Sequence, residues 1–347
     1  MTTTTPPTEA ITTVAGLPVD PEAPLLEVDE LHVEFRVRHG VVAANDSVSY
    51  SLNSGETLAI IGESGSGKSV SAMAVMGIID SPPGFITAGS VRYRGIDLLP
   101  MKESTRRRVR GDHIAMVFQD ALTALNPVFT VGSQIAEMFP VHRGMSRKDS
   151  MSKALELLER VKIPAAKERL NNYPHEFSGG MRQRVMIAMS IALDPSVLIA
   201  DEPTTALDVT VQAQVMDLLA ELQAETGMGL LLITHDLGVV AEVADNVAVM
   251  YAGRIVETGT IHEVHRSPKH PYTLGLIQSM PAIDARVERL HPIPGSPPDL
   301  AHRPSGCAFH PRCPLAREIC RTDDPDLRSL DDPGRASACH FAEEVQR

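Results

Sequence analysis

The sequence predicts an α/β fold with a buried parallel sheet, a layer of antiparallel strands and an inserted helical segment. Three short apolar runs rich in branched residues, at 57–61, 197–200 and 230–233, are typical of strands covered on both faces. Other segments alternate polar and apolar residues, as antiparallel strands with one exposed face do. These alternating segments are 31–37, 46–52 and 90–93.

The inserted segment is helical and extends from about 120 to 194. Its clearest helix is predicted at 147–161, where Ala154, Leu157, Leu158 and Val161 recur at helical spacing. Residues 1–24 are rich in Thr and Pro and have no apolar period, so they are predicted to be a disordered tail. We place the main domain at 25–265 and a Pro-rich C-terminal extension at 266–347.

Composition narrows the functional classes. The chain of 347 residues has 32 Lys and Arg against 44 Asp and Glu, a net charge of −12, which argues against a nucleic-acid partner because phosphate binding needs clustered cations. No apolar run approaches the roughly 20 residues that span a bilayer. The first residues have neither the basic start nor the apolar centre of an export signal, so a soluble, non-exported protein is expected.

A glycine-rich turn between an apolar strand and a helix-like run predicts a nucleoside triphosphate site. The glycines allow successive amide groups to point at the β- and γ-phosphates, and the following helix adds its positive end. The lysine is expected to bridge β- and γ-oxygens, and the last serine to coordinate Mg²⁺. The turn consists of Gly62, Glu63, Ser64, Gly65, Ser66, Gly67, Lys68 and Ser69.

A pair of carboxylates ends the second apolar run. Asp201 at the end of that predicted strand is expected to hold Mg²⁺ through water, and Glu202 to activate the attacking water as a general base. An isolated Asp-Glu pair would be read as solvated loop residues. Its position at the end of a buried strand favours the functional interpretation.

Four further short motifs follow the phosphate loop along the chain. Gln119 comes after the apolar run 114–118, and His235 comes after the run 230–234. Between them lie a Ser-Gly-Gly segment that begins a predicted helix and an Ala-Leu-Asp segment. The members concerned are Ser178, Gly179, Gly180 and Asp208.

Together these motifs resemble the ATP-binding cassette (ABC) ATPases. The signature segment at 177–181 has Phe and Met where the family commonly has Leu and Gln, but its Ser-Gly-Gly core is intact. The resemblance implies the two-lobed P-loop NTPase fold of that family. It also implies that Lys68, Gln119, Glu202 and His235 serve hydrolysis and that Ser69 and Gln119 bind Mg²⁺. The signature is implied to complete the nucleotide site of a facing ATPase chain, and Asp208, in the D-loop, to belong to the nucleotide-binding residues.

The resemblance places His39 where the family carries an aromatic residue that stacks on adenine. A histidine in a surface turn is the alternative interpretation. The segments 119–132 and 267–273 are similar to those of dipeptide, oligopeptide and nickel importer ATPases, the second containing the His-Pro-Tyr element that opens their C-terminal extension.

This closer resemblance implies an ATPase subunit at the cytoplasmic face of the membrane that powers import of short peptides. Its implied partners are two transmembrane permease subunits, an extracytoplasmic substrate-binding protein and a second ATPase chain, with a heterodimer favoured over a homodimer. The alternatives are import of nickel or another small solute, and a soluble ABC ATPase of DNA repair or translation.

The four cysteines lie in the last 41 residues, with the spacing C-x5-C-x6-C-x18-C. Since the cytosol disfavours disulfides, metal ligation is the leading interpretation. A [4Fe-4S] cluster is favoured over Zn²⁺ because a tight C-x2-4-C pair is absent and because importer ATPases with this pattern are thought to carry a cluster. The ligands are expected to be Cys307, Cys313, Cys320 and Cys339.

Overall fold

The computed structural model describes residues 13–38, 40–205, 207–279, 292–330 and 334–346. The strands are β1 (Thr13–Val14), β2 (Leu17–Pro18), β3 (Leu26–Val37), β4 (Gly40–Leu52), β5 (Thr57–Ile61), β6 (Gly84–Tyr93), β7 (Ile96–Asp97), β8 (Ile114–Val117), β9 (Val197–Asp201), β10 (Gly229–Thr234), β11 (Asn246–Tyr251), β12 (Arg254–Thr260), β13 (Arg328–Ser329) and β14 (Ala336–Ser337).

The α-helices follow the same chain order. They are α1 (Lys68–Met76), α2 (Glu103–Val109), α3 (Ala121–Ala124), α4 (Val131–Ala136), α5 (Met138–Arg143), α6 (Arg147–Arg160), α7 (Ala166–Arg169), α8 (Gly179–Ser190), α9 (Val209–Thr226), α10 (Leu237–Val243), α11 (Ile261–Arg266), α12 (Pro271–Gln278) and α13 (Ile319–Thr322). Short 3-10 helices occupy Pro174–Glu176, Leu300–His302, His310–Arg312 and Ala342–Glu344.

Strands β11, β5, β10, β9 and β8 form the parallel centre of the main sheet, in that spatial order. Because they are parallel, their carboxyl ends meet at one edge. The register pairs Ile61 at the end of β5 with Thr234 of β10, and Ile233 with Asp201 of β9. The loops that follow these three strands are thereby brought side by side.

The central strands are buried on both faces. In β5, Leu58 and Ile60 pack into an apolar cluster beneath the antiparallel sheet, whereas Ala59 and Ile61 pack into a second cluster with the inserted helices. Burial on both faces explains why the strand is a continuous apolar run. The antiparallel layer has the order β4-β3-β6-β7, as the alternating segments predicted.

The extension continues the main sheet. Strand β14 pairs antiparallel with β12, placing Ser337 opposite Glu257, and β13 pairs with β14. The main domain and the extension, whose boundary is predicted at residue 265, therefore both contribute strands to one sheet.

The inserted segment forms α3 to α8. The helix predicted at 147–161 is α6; Ser146 caps it by accepting a hydrogen bond from Asp149 N, and Ala154 and Leu158 are fully buried. These contacts explain why apolar side chains recur at helical spacing there.

One sequence expectation differs from the structure near the N-terminus. Strands β1 and β2 pair as a hairpin within the range predicted to be a disordered tail. Ala15 and Gly16 adopt positive φ values of 51° and 87° in the tight turn, and Val14 is fully buried. The hairpin has one buried apolar side chain, Val14, and so leaves no periodic apolar pattern in the sequence from which it could be predicted.

Candidate functional site

The phosphate loop joins β5 to α1 and is curled tightly against its neighbours. Gly67 has a φ of 103°, and a Cβ there would lie 2.2 Å from the carbonyl oxygen of Ala44. No larger residue fits this close approach. Gly65 also has a positive φ, 78°, but faces open space.

Lys68 lies buried within the loop that it follows. Its ammonium group donates hydrogen bonds to the carbonyl oxygens of Gly62 at 2.7 Å and Glu63 at 3.1 Å. Burial lowers its pKa, and the nearby carboxylates of Glu202, Asp201 and Glu63 act in the opposite direction. The loop therefore holds a desolvated cation that a phosphate could neutralise.

Ser69 and Asp201 bring a hydroxyl and a carboxylate together. The Ser69 hydroxyl donates a 2.9 Å hydrogen bond to Oδ1 of Asp201 at the end of β9. Burial raises the pKa of Asp201, while the bond from Ser69 lowers it. Hydroxyl and carboxylate oxygens are the ligands that Mg²⁺ prefers, so this pair fits the predicted magnesium site.

Glu202 is held from three sides. Nε2 of Gln119 donates to its Oε2 at 2.9 Å, and the hydroxyl of Thr205 donates to the same oxygen at 2.8 Å. Nδ1 of His235 lies 3.5 Å from its Oε1. Thr205 is not among the sequence-predicted residues, although its position three residues after a strand-ending acid was an available signal.

Most of these groups line one cleft of about 790 Å³, whereas Asp201 and Thr205 are not part of its lining. The cleft includes the whole phosphate loop together with Gln119, Glu202 and His235. Its lining also includes Leu276, Pro297 and Leu300, which come from the last third of the chain and which no motif predicted. His39, the predicted adenine contact, lies outside the described residues.

The signature residues lie outside this cleft and begin a helix elsewhere. The Ser178 hydroxyl accepts a hydrogen bond from Met181 N at 3.4 Å, capping α8. Asp208 caps α9 in the same way, with Val211 N donating to Oδ1 at 3.0 Å. Since neither capped helix start belongs to the cleft lining, their predicted nucleotide contacts are not made within the described part of this chain.

The four cysteines converge in the extension. All line one small cavity, together with His310 and His340. Burial raises the pKa of Cys307 to about 12 and that of Cys313 to about 11, and it also raises the pKa of Cys339. The donor type fits a thiolate-held metal centre. Among the described residues, however, no group of three or more His, Cys, Asp or Glu side chains is placed to hold a metal ion, so the iron-sulfur prediction and its zinc alternative both stay predictions.

The fold and the cleft define a P-loop nucleoside triphosphatase. A loop that buries a lysine, a hydroxyl-carboxylate pair and a held glutamate together provide what phosphoryl transfer to water requires: positioning, charge stabilisation and a base. Comparisons with known proteins make the class narrower.

The chain matches two family profiles: residues 45–205 match "ABC transporter" and residues 256–320 match "Oligopeptide/dipeptide transporter, C-terminal region". The dipeptide transport ATP-binding protein DppD of Escherichia coli (strain K12) is 50% identical over 317 residues, covering 91% of this chain and 96% of its own. The oligopeptide transport ATP-binding protein OppD of Bacillus subtilis (strain 168) is 51% identical over 309 residues, covering 89% and 86%.

Among solved structures, the dimeric ATP-binding cassette MJ0796, in a post-hydrolysis state bound to ADP and Pi, is similar with a TM-score of 0.62 and 26% identity. The similarity covers 68% of this chain and 98% of that one. The chain belongs to the ATP-binding proteins of ABC transporters and is an ATPase. Within the described ranges, no helix has both the length and the apolar character needed to cross a bilayer.

Proposed function

We propose that this chain hydrolyses ATP to power the import of di- and oligopeptides through separate membrane subunits. The observation that carries the proposal is the union of a P-loop cleft with an extension of the oligopeptide/dipeptide type, whose α12 and Leu300 line that same cleft. The names of the two relatives, a dipeptide and an oligopeptide transport protein, support the cargo class. Neither relative's name favours nickel as the imported solute.

In the proposed mechanism the loop 62–69 holds the triphosphate. Ser69, Gln119 and, through water, Asp201 would hold Mg²⁺, which supplies charge neutralisation on the phosphate oxygens. Glu202 accepts a proton from the attacking water as its oxygen bonds to the γ-phosphorus, and the bond to the β-phosphate oxygen breaks to release ADP. Gln119 and Thr205 orient the accepting carboxylate, and His235 contacts the γ-phosphate.

The second half of each site is proposed to come from a facing ATPase chain. Ser178 and the amides of Gly179 and Gly180 begin α8 away from the chain's own cleft, leaving a hydroxyl and a positive helix end for another nucleotide. A second, related ATPase chain is favoured as that partner over a second copy. Binding of two ATP molecules would join the chains, and hydrolysis would release them.

An apolar groove between the inserted helices and the nucleotide-binding core supports docking of the permease subunits. Its lining is rich in methionine, a flexible side chain suited to binding a partner helix: Met76, Met116, Met138, Met186 and Met189, beside Phe118. Val128 and Phe129 are 70% and 55% exposed in the segment that resembles importer ATPases. Such docking would place the chain at the cytoplasmic face of the membrane, in a complex that includes an extracytoplasmic peptide-binding protein.

We further propose that Cys307, Cys313, Cys320 and Cys339 hold a [4Fe-4S] cluster with a structural role. Support comes from their convergence on one cavity and from the amide of Phe341, which donates to the Cys339 sulfur at 3.4 Å as amides do to cluster thiolates.

The test is purification of the full complex with its membrane subunits and binding protein, followed by assay of ATP hydrolysis with peptide, with Ni²⁺ and without cargo. Peptide is expected to stimulate hydrolysis, and iron is expected to co-purify at about four per chain, as a cubane cluster requires. Stimulation by Ni²⁺ alone would contradict peptide import. A chain that purifies without any membrane subunit and hydrolyses ATP in response to nucleic acid or ribosomes would contradict transport altogether.

A further inference from the structure

The extension reaches into the ATP site through one arginine. Nη1 and Nη2 of Arg312 donate to the two carboxylate oxygens of Glu63 at 2.6 and 3.0 Å, a two-pronged ion pair across 249 positions of sequence. The Arg312 side chain is only 5% exposed. Paired guanidinium and carboxylate groups of this geometry are both strong and directional.

Arg312 is itself held rigidly. Nε donates to the carbonyl oxygen of Pro294 at 2.9 Å, and Nη1 also lies 3.4 Å from the hydroxyl of Tyr251. The guanidinium lies 5.9 Å from the ring centres of both Tyr251 and Phe309. The side chain is thus fixed before it meets Glu63, so the pair costs little extra ordering.

Glu63 transmits this restraint to the catalytic lysine. Its carbonyl oxygen accepts the hydrogen bond from Lys68, and its amide donates to the hydroxyl of Tyr272 in α12 at 2.8 Å. Side chain, amide and carbonyl of one loop residue are therefore engaged at once. Two of those three contacts come from beyond residue 265.

The same arginine is linked to the apolar part of the cleft lining. Pro294, which accepts its Nε hydrogen bond, begins the short segment that carries Pro297 and Leu300 into the cleft lining. Arg312 therefore connects the phosphate-binding side to the apolar side.

We propose that Arg312 is a positioning residue of the ATP site: through Glu63 it fixes the curl of the phosphate loop from which Lys68 and Ser69 act. Arg312 is not among the residues that line the cleft, so it is proposed to act through Glu63. The proposal deepens the ATPase mechanism and rests on the proposed roles of the loop, not on the transported cargo. In this proposal the C-terminal extension, which the sequence identifies only by its resemblance to importer ATPases, also supports the nucleotide-binding loop.

The test compares Arg312→Met and Glu63→Gln, singly and combined, in the full-length chain. Affinity for a fluorescent ATP analogue is expected to fall roughly tenfold in each single variant, since each loses the charge-assisted hydrogen bonds that hold the loop. The double variant should be no worse than either single one, because both act through one contact. Amide hydrogen exchange at 62–67 should rise in all three, and Arg312→Lys should recover part of the affinity.

Arg303→Met is the matched control. Arg303 also joins the extension to the cassette, through a 2.8 Å hydrogen bond to Asp46, and it pairs with Asp324 of the extension at 3.0 Å; neither partner belongs to the phosphate loop. Its variant should keep wild-type nucleotide affinity. Unchanged affinity and unchanged exchange at 62–67 in both Arg312→Met and Glu63→Gln would overturn the proposal, as would additive losses in the double variant or an equal loss in Arg303→Met. Nucleotide affinity is measured without membrane subunits, so failure here is distinct from failure of peptide import.

Discussion

Ser69 and Asp201 lie 132 positions apart in the chain and are joined by a 2.9 Å hydrogen bond from hydroxyl to carboxylate. Ser69 lies in the first turn of α1 and Asp201 ends β9, and the parallel sheet brings them together at its carboxyl edge. A hydrogen-bonded pair of oxygen ligands is preorganised for a divalent cation, because neither side chain must move far to share it.

Asp201→Asn should abolish the gain in nucleotide affinity that Mg²⁺ provides, because it removes the charge that retains the ion. Titration of the full-length chain with ATP in Mg²⁺ and in EDTA would measure this gain. Ser54→Ala, which alters a serine that contacts Gly227 far from the cleft, serves as control. Retention of a normal Mg²⁺ effect in Asp201→Asn would refute the assignment.

Glu202→Gln should leave ATP binding intact and reduce hydrolysis by about 10²- to 10⁴-fold, the usual contribution of a general base. The amide keeps its shape beside Gln119 and Thr205 but accepts no proton from water. Phosphate release by the complex measures the rate. Glu221→Gln, a surface carboxylate paired with Lys162, should behave as wild type. Normal turnover in Glu202→Gln would require another base.

The two signature glycines should respond differently to an added methyl group. A Cβ on Gly180 would lie 2.4 Å from Cγ1 of Val211, whereas one on Gly179 would meet only Leu207 at 3.6 Å. Gly180→Ala should cost about 1–3 kcal/mol of unfolding free energy by overpacking, and Gly179→Ala should be neutral or stabilising by up to about 1 kcal/mol. Urea denaturation compares them. Gly180→Ala combined with Val211→Ala should recover the loss; persistent destabilisation would point to another cause.

Glu257 should make the folded state less stable as pH rises. It is fully buried, accepts amide hydrogen bonds from Lys269 and His270, and has a pKa that burial raises from 4.5 to about 7. The folded state then binds the proton more tightly than the unfolded state does, so this contribution is complete below pH 4.5 and lost as pH passes 7.

The size of this contribution is about 3 kcal/mol at 1.36 kcal/mol per pKa unit. The unfolding free energy of the wild type, minus that of Glu257→Gln, should fall by about 3 kcal/mol between pH 4.5 and pH 8. Burial lowers the pKa of His270 to about 3, which gives an opposite slope below pH 6.5, but it is common to both proteins and cancels in the difference. A difference independent of pH would show that Glu257 stays ionised.

Replacing all four cysteines by serine should loosen the extension and spare the cassette. Few apolar side chains are buried there, so a metal centre would supply cross-links that a core otherwise supplies. Limited proteolysis should cut beyond residue 290 in the variant alone, and iron should be lost. An unchanged cleavage pattern would contradict a structural cluster.

Much of the site is predictable because its chemistry lies in contiguous segments. The phosphate loop 62–69 follows a buried strand, and Asp201 and Glu202 stand at the end of another. Both strands are recognisable as apolar runs in the sequence, and a parallel sheet has to bring such strand ends together. The helix at Arg147–Arg160 is similarly encoded by its own spacing.

Other features depend on contacts that no local pattern encodes. The Arg312–Glu63 pair and the cleft wall at Pro297 join parts of the chain more than two hundred positions apart. The closeness of Gly180 to Val211 depends on how α8 packs against α9. These relationships arise from tertiary packing, and a linear motif search has no access to them.

The pairing of β14 with β12 has a further consequence for how the chain can be shortened. Glu257 and Thr258 of β12 have their outer backbone covered by Ser337 and Ala336. A chain that ends after Arg266 would keep every ATPase motif yet present a bare, aggregation-prone strand margin to other molecules. The roughly 80 residues after Arg266 therefore also protect the sheet edge against self-association, a role that is separate from nucleotide binding.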